Sequence, residues 1–351
     1  MASSTSPPTK KPRLAPPVMN PTTPPADSPT DTGEDTYAPA DSHINHSAAI
    51  AYWSSTPATV SGVLGGYPGL SRTDIQGSAN FLTKLRRGAA RARNSNALGG
   101  TEDGKEEEKA EAFPKPSERL RRVVDCGAGI GRISVGLLGK MARRVDVVEP
   151  VTSFCEVVRR EGREGGLKGT LGRVWEVGLE GWRPFGEGQE GSSAGTDKDD
   201  AKKTEGVEEQ VANGAGAETT NQAGAETMSA MTNDGDELDD TASGIPDTQL
   251  YDLIWNQWCL GQLTDKQLTE YLARSIAWLS KAGFIIVKEN LSNHPEGRDI
   301  FDEEDSSVTR TQQKFESIFE AAGLRIVKTE VQRGFPKELY PVRIWGLQPK
   351  H

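Results

Sequence analysis

Cysteine and histidine are scarce in this chain, three and four in 351 residues. Cys126, Cys155 and Cys259 cannot all pair with one another, and neither residue type recurs at metal-ligand spacing. Reduced thiols are therefore expected, with no disulfide framework and no metal site. No apolar run approaches the roughly 20 residues that cross a bilayer. The first residues carry no apolar signal core, so a cytoplasmic protein is expected. Apolar residues make up only 34% of the chain and aromatics 6%, which is low for a fully folded chain of this length.

The shortage is local. Residues 186–246 hold 15 acidic and 3 basic side chains in a Gly/Ala/Thr-rich stretch without apolar period, against a whole-chain charge of −10. A disordered acidic insertion is expected there, and the remainder is near neutral. Neither nucleic acid nor a membrane is expected as a direct partner, and a monomer is expected. Ten of the 21 prolines fall in residues 1–45, which read as a disordered tail. Lys10, Lys11 and Arg13 form a short basic cluster in it, read either as a nuclear import signal or as solvated charge. Residues 48–86 return apolar and aromatic positions at helical steps and read as a helical extension. Residues 87–117, basic and then acidic, read as a flexible loop.

The organising stretch is residues 123–134, VVDCGAGIGRIS. A buried strand ends in Asp125 and Cys126. Gly127, Gly129 and Gly131 then make a tight turn into a helix, whose first N–H groups face a ligand. A dinucleotide fingerprint places its third glycine one residue later, at Arg132. Gly-x-Gly-x-Gly after an acidic strand end is commoner in S-adenosylmethionine enzymes, though the glycines alone also suit any strand-to-helix turn. A second β-branched strand ends in Glu149, about 20 residues on, where a ribose diol sits in this architecture.

The rest of the domain, 118–351, reads as α/β. A helix follows Glu149, and strands are expected over 171–177 and at YDLIW (251–255). A helix from Asp265 is expected to end at Gly283, followed by a strand at FIIV (284–287). An acidic loop over 302–307 precedes a helix that stops at Gly323, and two final strands form an antiparallel pair. This makes a Rossmann-like, mostly parallel seven-stranded sheet with helices on both faces. Ligands belong at the carboxyl ends of its strands. Asp302 and Asp305, three residues apart, suit a cation, or alternatively form a solvated acidic loop. Trp53 and Trp258 are channel or core residues on sequence alone.

Motifs in order carry a resemblance: YW, P-x-T-V and G-x-L-G-G-Y over 52–67, DCGAGIGR at 125–132, YD-x-IW-x-QW with LTD over 251–265, K-x-N at 288–290, and D-x-x-DSS followed by V-x-R over 302–310. The chain resembles the protein α-N-terminal methyltransferases, class I S-adenosylmethionine-dependent enzymes acting on the α-amine of Xaa-Pro-Lys or Xaa-Pro-Arg termini. The tail, the 87–117 loop and the insertion have no counterpart in that resemblance.

The resemblance implies roles. Gly127, Gly129 and Arg132 hold the methionine end of S-adenosyl-L-methionine, and Glu149 its ribose. Pro150, Val151, Leu179, Glu180 and Gln257 complete that pocket. Trp53 and Trp258 line the peptide channel, Asn290 binds the peptide backbone, and Tyr340 closes the channel. Asp302, Asp305 and Ser307 face the third-position cation, and Asp305 accepts the amine proton. Ribosomal or chromatin-associated proteins are the implied substrates. Relatives usually carry His at Gln262, so the amine-deprotonating group differs here, and Gln262→His is expected to help more at pH 7 than at pH 9. Two other readings stay open: a binding module for such termini with weakened catalysis, and a small-molecule N-methyltransferase.

Overall fold

A computed structural model of the chain describes residues 38–98, 113–186 and 249–350. The expectations for 1–37, 99–112 and 187–248 lie outside the described residues.

The central strands are largely buried, as a sheet covered on both faces requires. β1 is Leu120–Cys126, β2 Ala142–Val148, β3 Leu171–Trp175, β4 Tyr251–Gln257 and β5 Leu279–Asn290. A small hairpin, β6 (Ile300–Asp302) and β7 (Ser307–Thr309), precedes β8 (Leu324–Val331) and β9 (Val342–Pro349). The seven-stranded sheet runs β3-β2-β1-β4-β5-β9-β8. β1 to β5 pair in parallel, and β9 is antiparallel to both β5 and β8. This is the Rossmann-like sheet with an antiparallel C-terminal pair.

Alternation along the strands divides the core. Val123, Leu253, Trp255 and Ile286 pack with Phe81, Leu82 and Leu85 of α3 (Leu70–Leu98) on one face. Val124, Ile254 and Ile285 pack on the other with Leu268 and Leu272 of α6 (Asp265–Ser275) and Phe315 and Phe319 of α7 (Gln312–Ala321). Each large buried apolar side chain contributes about 2 kcal/mol. Side-chain caps set the helix starts. Asn45 accepts from Ala48 N–H at the start of α1 (His46–Ser55), and Thr264 forms a reciprocal capping box with Gln267 on α6. α2 (Val60–Val63) is a single turn capped by Thr59. After the glycine turn a π-turn, Ser134–Leu138, leads into α4 (Gly139–Met141), and α5 is Thr152–Glu164. Among the described residues no helix is long and apolar enough to cross a membrane.

Four sequence expectations need correction. The tail ends before residue 45: Ala40–His43 is a 3-10 turn, and Asp41 Oδ2 accepts from Asp265 N–H at 2.9 Å. The loop expected from residue 87 is helical as far as Leu98. Alanine, arginine and leucine there favour helix enough to carry one glycine, Gly88. Gly283 does not end a helix. α6 stops at Ser275, and β5 already begins at Leu279. Leu279 pairs with Tyr251 and Phe284 with Leu253, so β5 bulges between them. A Cβ on Gly283 would lie 2.9 Å from the Tyr251 carbonyl oxygen, so that bulge requires glycine. Finally, the acidic loop is the turn of the β6–β7 hairpin.

Candidate active site

Gly127, Gly129 and Gly131 all sit at positive φ, +62°, +57° and +73°. The backbone thus turns sharply out of β1 in a region that side chains oppose. Gly127 is also fixed by packing, since a Cβ there would lie 2.2 Å from Cys259 Cβ. The turn leaves Gly129 N–H donating to Glu149 Oε2 at 2.7 Å, while Val151 N–H donates to Oε1 at 3.0 Å. Glu149 stands at the end of β2 and is only 5% exposed. Burial pushes its carboxyl up to about 7, against the pull of those two N–H groups. Asp125, at the end of β1, is pushed up to about 6 by burial and accepts from Ser134 Oγ at 2.6 Å.

Arg132 begins the helix beyond the turn. Its Nη1 lies 2.6 Å from Asp74 Oδ2, and its guanidinium stands 5.5 Å over the Trp258 ring. Gln257, ending β4, donates through Nε2 to Asp74 at 3.0 and 2.9 Å and accepts from Trp255 Nε1 at 3.2 Å.

The opposite wall comes from β5, the hairpin and the N-terminal helices. Trp258 holds φ +56°, unusual for a bulky residue. Its indole Nε1 is buried without a hydrogen-bond partner among the described residues. Trp53 of α1 meets Phe154 edge to face at 6.3 Å. Asp305 is 5% exposed, and its Oδ1 accepts from Ser307 Oγ at 2.7 Å. Its carbonyl oxygen accepts from Gln262 Nε2 at 3.3 Å. That contact leaves Gln262 Oε1 buried and unpartnered. Asn45 N–H donates to Ser306 Oγ at 2.7 Å, which ties the start of α1 to the hairpin.

These walls enclose one cavity of about 250 Å³. Gly127, Gly129, Arg132, Glu149, Pro150, Val151, Leu179, Glu180 and Gln257 line one side, and Trp53, Trp258, Gln262, Asn290, Asp305, Ser307 and Tyr340 the other. Asp302 does not line it. Its Oδ1 accepts from Glu304 N–H at 2.9 Å, so the carboxyl shapes the hairpin turn. The carboxyl thus turns back onto its own backbone, as aspartates in turns do. Sequence reasoning missed three polar residues. His46 lines the cavity and pairs with Gln267. Glu289 lines it and accepts from the Cys259 and Leu260 N–H groups, both at 2.9 Å. Asp74, wholly buried, holds Arg132 and Gln257 from behind. Ser78, one turn further on the same face of α3, is buried as well. Among the described residues no group of three or more His, Cys, Asp or Glu side chains could hold a metal ion.

The sheet order, the glycine turn and the acid that follows it define the class I S-adenosylmethionine-dependent methyltransferases. A solved SAM-dependent methyltransferase from Leishmania major has the same fold, with TM-score 0.54 and 25% identity, over 86% of this chain and 82% of that one. The profile described as AdoMet dependent proline di-methyltransferase matches residues 41–104, 106–190 and 232–348. Alpha N-terminal protein methyltransferase 1 of Schizosaccharomyces pombe is 30% identical over 306 residues, 87% of this chain and 96% of the relative. The N-terminal Xaa-Pro-Lys N-methyltransferase 1-B of Xenopus laevis is 28% identical over 85% of this chain and 92% of its own length. The chain belongs to this family of AdoMet-dependent proline di-methyltransferases, and its cofactor is S-adenosylmethionine.

Proposed function

We propose that the protein methylates the α-amine of proteins whose mature N-terminus reads Xaa-Pro-Lys or Xaa-Pro-Arg. One observation carries this reading: a single cavity joins a glycine-walled end holding Arg132 and Glu149 to an end built of Trp53, Trp258, Asn290 and Asp305. S-adenosylmethionine, when bound, supplies a methyl group activated on a sulfonium. The residues at the first end fit its chemistry. Arg132 suits the carboxylate, Glu149 the ribose hydroxyls, and Leu179, Glu180 and Gln257 the remaining wall. The absence of a Cβ at Gly129 leaves room beside the turn, where only Val63 Cγ1 comes within 4 Å, at 3.7 Å.

At the other end Trp258 presents an apolar face and an unpartnered N–H to a proline-containing backbone. Asn290, the last residue of β5, offers a carboxamide to the same backbone. Asp305 takes the proton from the amine, with its carboxylate oriented by Ser307. An α-amine has a pKa of about 7.7–8.0, so losing a proton at pH 7 costs only about 1 kcal/mol. One carboxylate and good alignment suffice for the transfer. Gln262 contributes Oε1 as an acceptor that orients the amine without titrating. Asp305, close to where the amine docks, is the anion for the third-position cation; Asp302 is a secondary one at the hairpin. Ribosomal or chromatin-associated proteins are the proposed substrates. A cytoplasmic monomer, with nuclear entry through the cluster at Lys10, Lys11 and Arg13, completes the proposal.

The test is mass spectrometry of a Ser-Pro-Lys hexapeptide incubated with enzyme and S-adenosylmethionine. Methyl-mass steps should appear, and N-terminal acetylation should abolish them. Measurable peptide binding without transfer would replace the enzyme by a binding module.

Glu149 adds a pH dependence. The folded-state value near 7 lies above the ordinary carboxylate range, so the protein takes up a proton on folding as pH falls through 7. The unliganded protein therefore loses stability as pH rises from about 4.5 to 7. Ribose hydroxyls donate to the ionised form and favour it. Affinity for S-adenosylhomocysteine should rise about fourfold between pH 6.5 and 8 in calorimetry. A flat profile would remove Glu149 from the ribose site.

A further inference from the structure

We infer that Asp74, on the N-terminal helical extension, is a positioning residue for the methyl donor. It fixes Arg132 and Gln257 against the donor's amino-acid end. The inference rests on the donor site proposed above and adds a residue that touches neither donor nor peptide.

Three elements meet at this carboxylate. Asp74 is 0% exposed. Its Oδ1 takes Lys288 Nζ at 2.5 Å, its Oδ2 takes Arg132 Nη1 at 2.6 Å, and Gln257 Nε2 bridges both oxygens. Arg132 opens the helix after β1, and Gln257 and Lys288 lie at the carboxyl ends of β4 and β5, where donors bind in such sheets. Lys288, also 0% exposed, is saturated by Asp74, Ser78 Oγ at 2.9 Å and Gln332 Oε1 at 2.8 Å. It has no bond left for a ligand. Arg132 and Gln257 both line the cavity, whereas Asp74 and Lys288 stand behind them.

Charge gives the arrangement a direction. One buried carboxylate is bonded directly to two cations, and Asp125 is a further acid coupled to Arg132. Burial opposes ionisation of Asp74, but Lys288 and Arg132 overcome it and hold the carboxyl below its usual range. Of the two cations only Arg132 faces the cavity. A carboxylate arriving there completes the cluster, and charged hydrogen bonds of this kind are strong only when both partners are pre-set. The extension therefore serves the donor as well as the peptide channel.

Two ligands separate a positioning role from a structural one. S-adenosylhomocysteine carries the amino-acid carboxylate, whereas methylthioadenosine shares the adenosine and sulfur but lacks it. Calorimetry on the full chain should show both binding the unmodified protein. Asp74→Asn keeps the shape but releases Arg132. Lys288→Met releases Asp74 Oδ1 without touching Arg132 or Gln257, and it carries the test if the first variant fails to fold. Each should weaken S-adenosylhomocysteine by about tenfold or more while leaving methylthioadenosine within about twofold. Equal weakening of both ligands would make Asp74 a structural residue and overturn the inference, as would no change in either. Failure of S-adenosylhomocysteine to bind the unmodified protein would instead overturn the donor site itself.

Discussion

Asp305→Asn lowers kcat for a Ser-Pro-Lys peptide by about 10²–10⁴ at pH 7, and raises KM as well because the third-position lysine loses an anion. The carboxamide keeps the outline of the carboxylate. Ser307 Oγ, now 2.7 Å from Oδ1, still donates to a carbonyl oxygen, and the backbone oxygen that accepts from Gln262 is unaltered. What disappears is the group that accepts the amine proton. At pH 9 most of the amine is neutral without assistance, since its pKa is about 7.7–8.0. The deficit should therefore shrink at high pH. Steady-state kinetics at pH 7 and 9 decide the matter: a loss confined to KM would make Asp305 a binding residue only.

Gln262→His raises kcat at pH 7 by about five- to tenfold and changes it little at pH 9. The ceiling follows from the amine, of which only about a tenth is neutral at pH 7. In place of Gln262, an imidazole N–H can take over the 3.3 Å contact to the Asp305 carbonyl. Its second nitrogen then occupies the position of the unpartnered Oε1. With a pKa of about 6.5 that nitrogen accepts a proton, which a carboxamide cannot do. Equal gains at the two pH values would show that the histidine acts by shape alone.

The donor half of the site was legible because its chemistry lies in one contiguous unit. Strand, glycine turn, Arg132 and Glu149 fall within 30 residues, and the positive φ values at Gly127, Gly129 and Gly131 are what the sequence spacing requires. The peptide half depends on residues more than 200 positions apart. The resemblance, more than any periodicity, brought Trp53 and Trp258 together. Residue spacing on a loop does not say which carboxyl turns back onto its own backbone, as Asp302 does. Gly283 misled because glycine serves a strand bulge as readily as a helix stop. Asp74 was passed over because a single buried acid on a helix has no pattern, and its meaning comes only from Lys288, Arg132 and Gln257 gathered around it.

The place of α3 in the sheet orders biosynthesis. Phe81, Leu82 and Leu85 pack with Phe284, Ile286 and Ile344, and Leu85 stands against Gly346 of β9. Lys84 reaches Glu330 at 2.8 Å. The helix thus has its partners among residues translated much later. Contacts of such sequence separation close slowly. The parallel strands can assemble first, but the cavity stays unfinished until β9 has been made and α3 has docked. A ribosome stalled short of residue 344 would hold a chain with its glycine turn complete and no methyltransferase site.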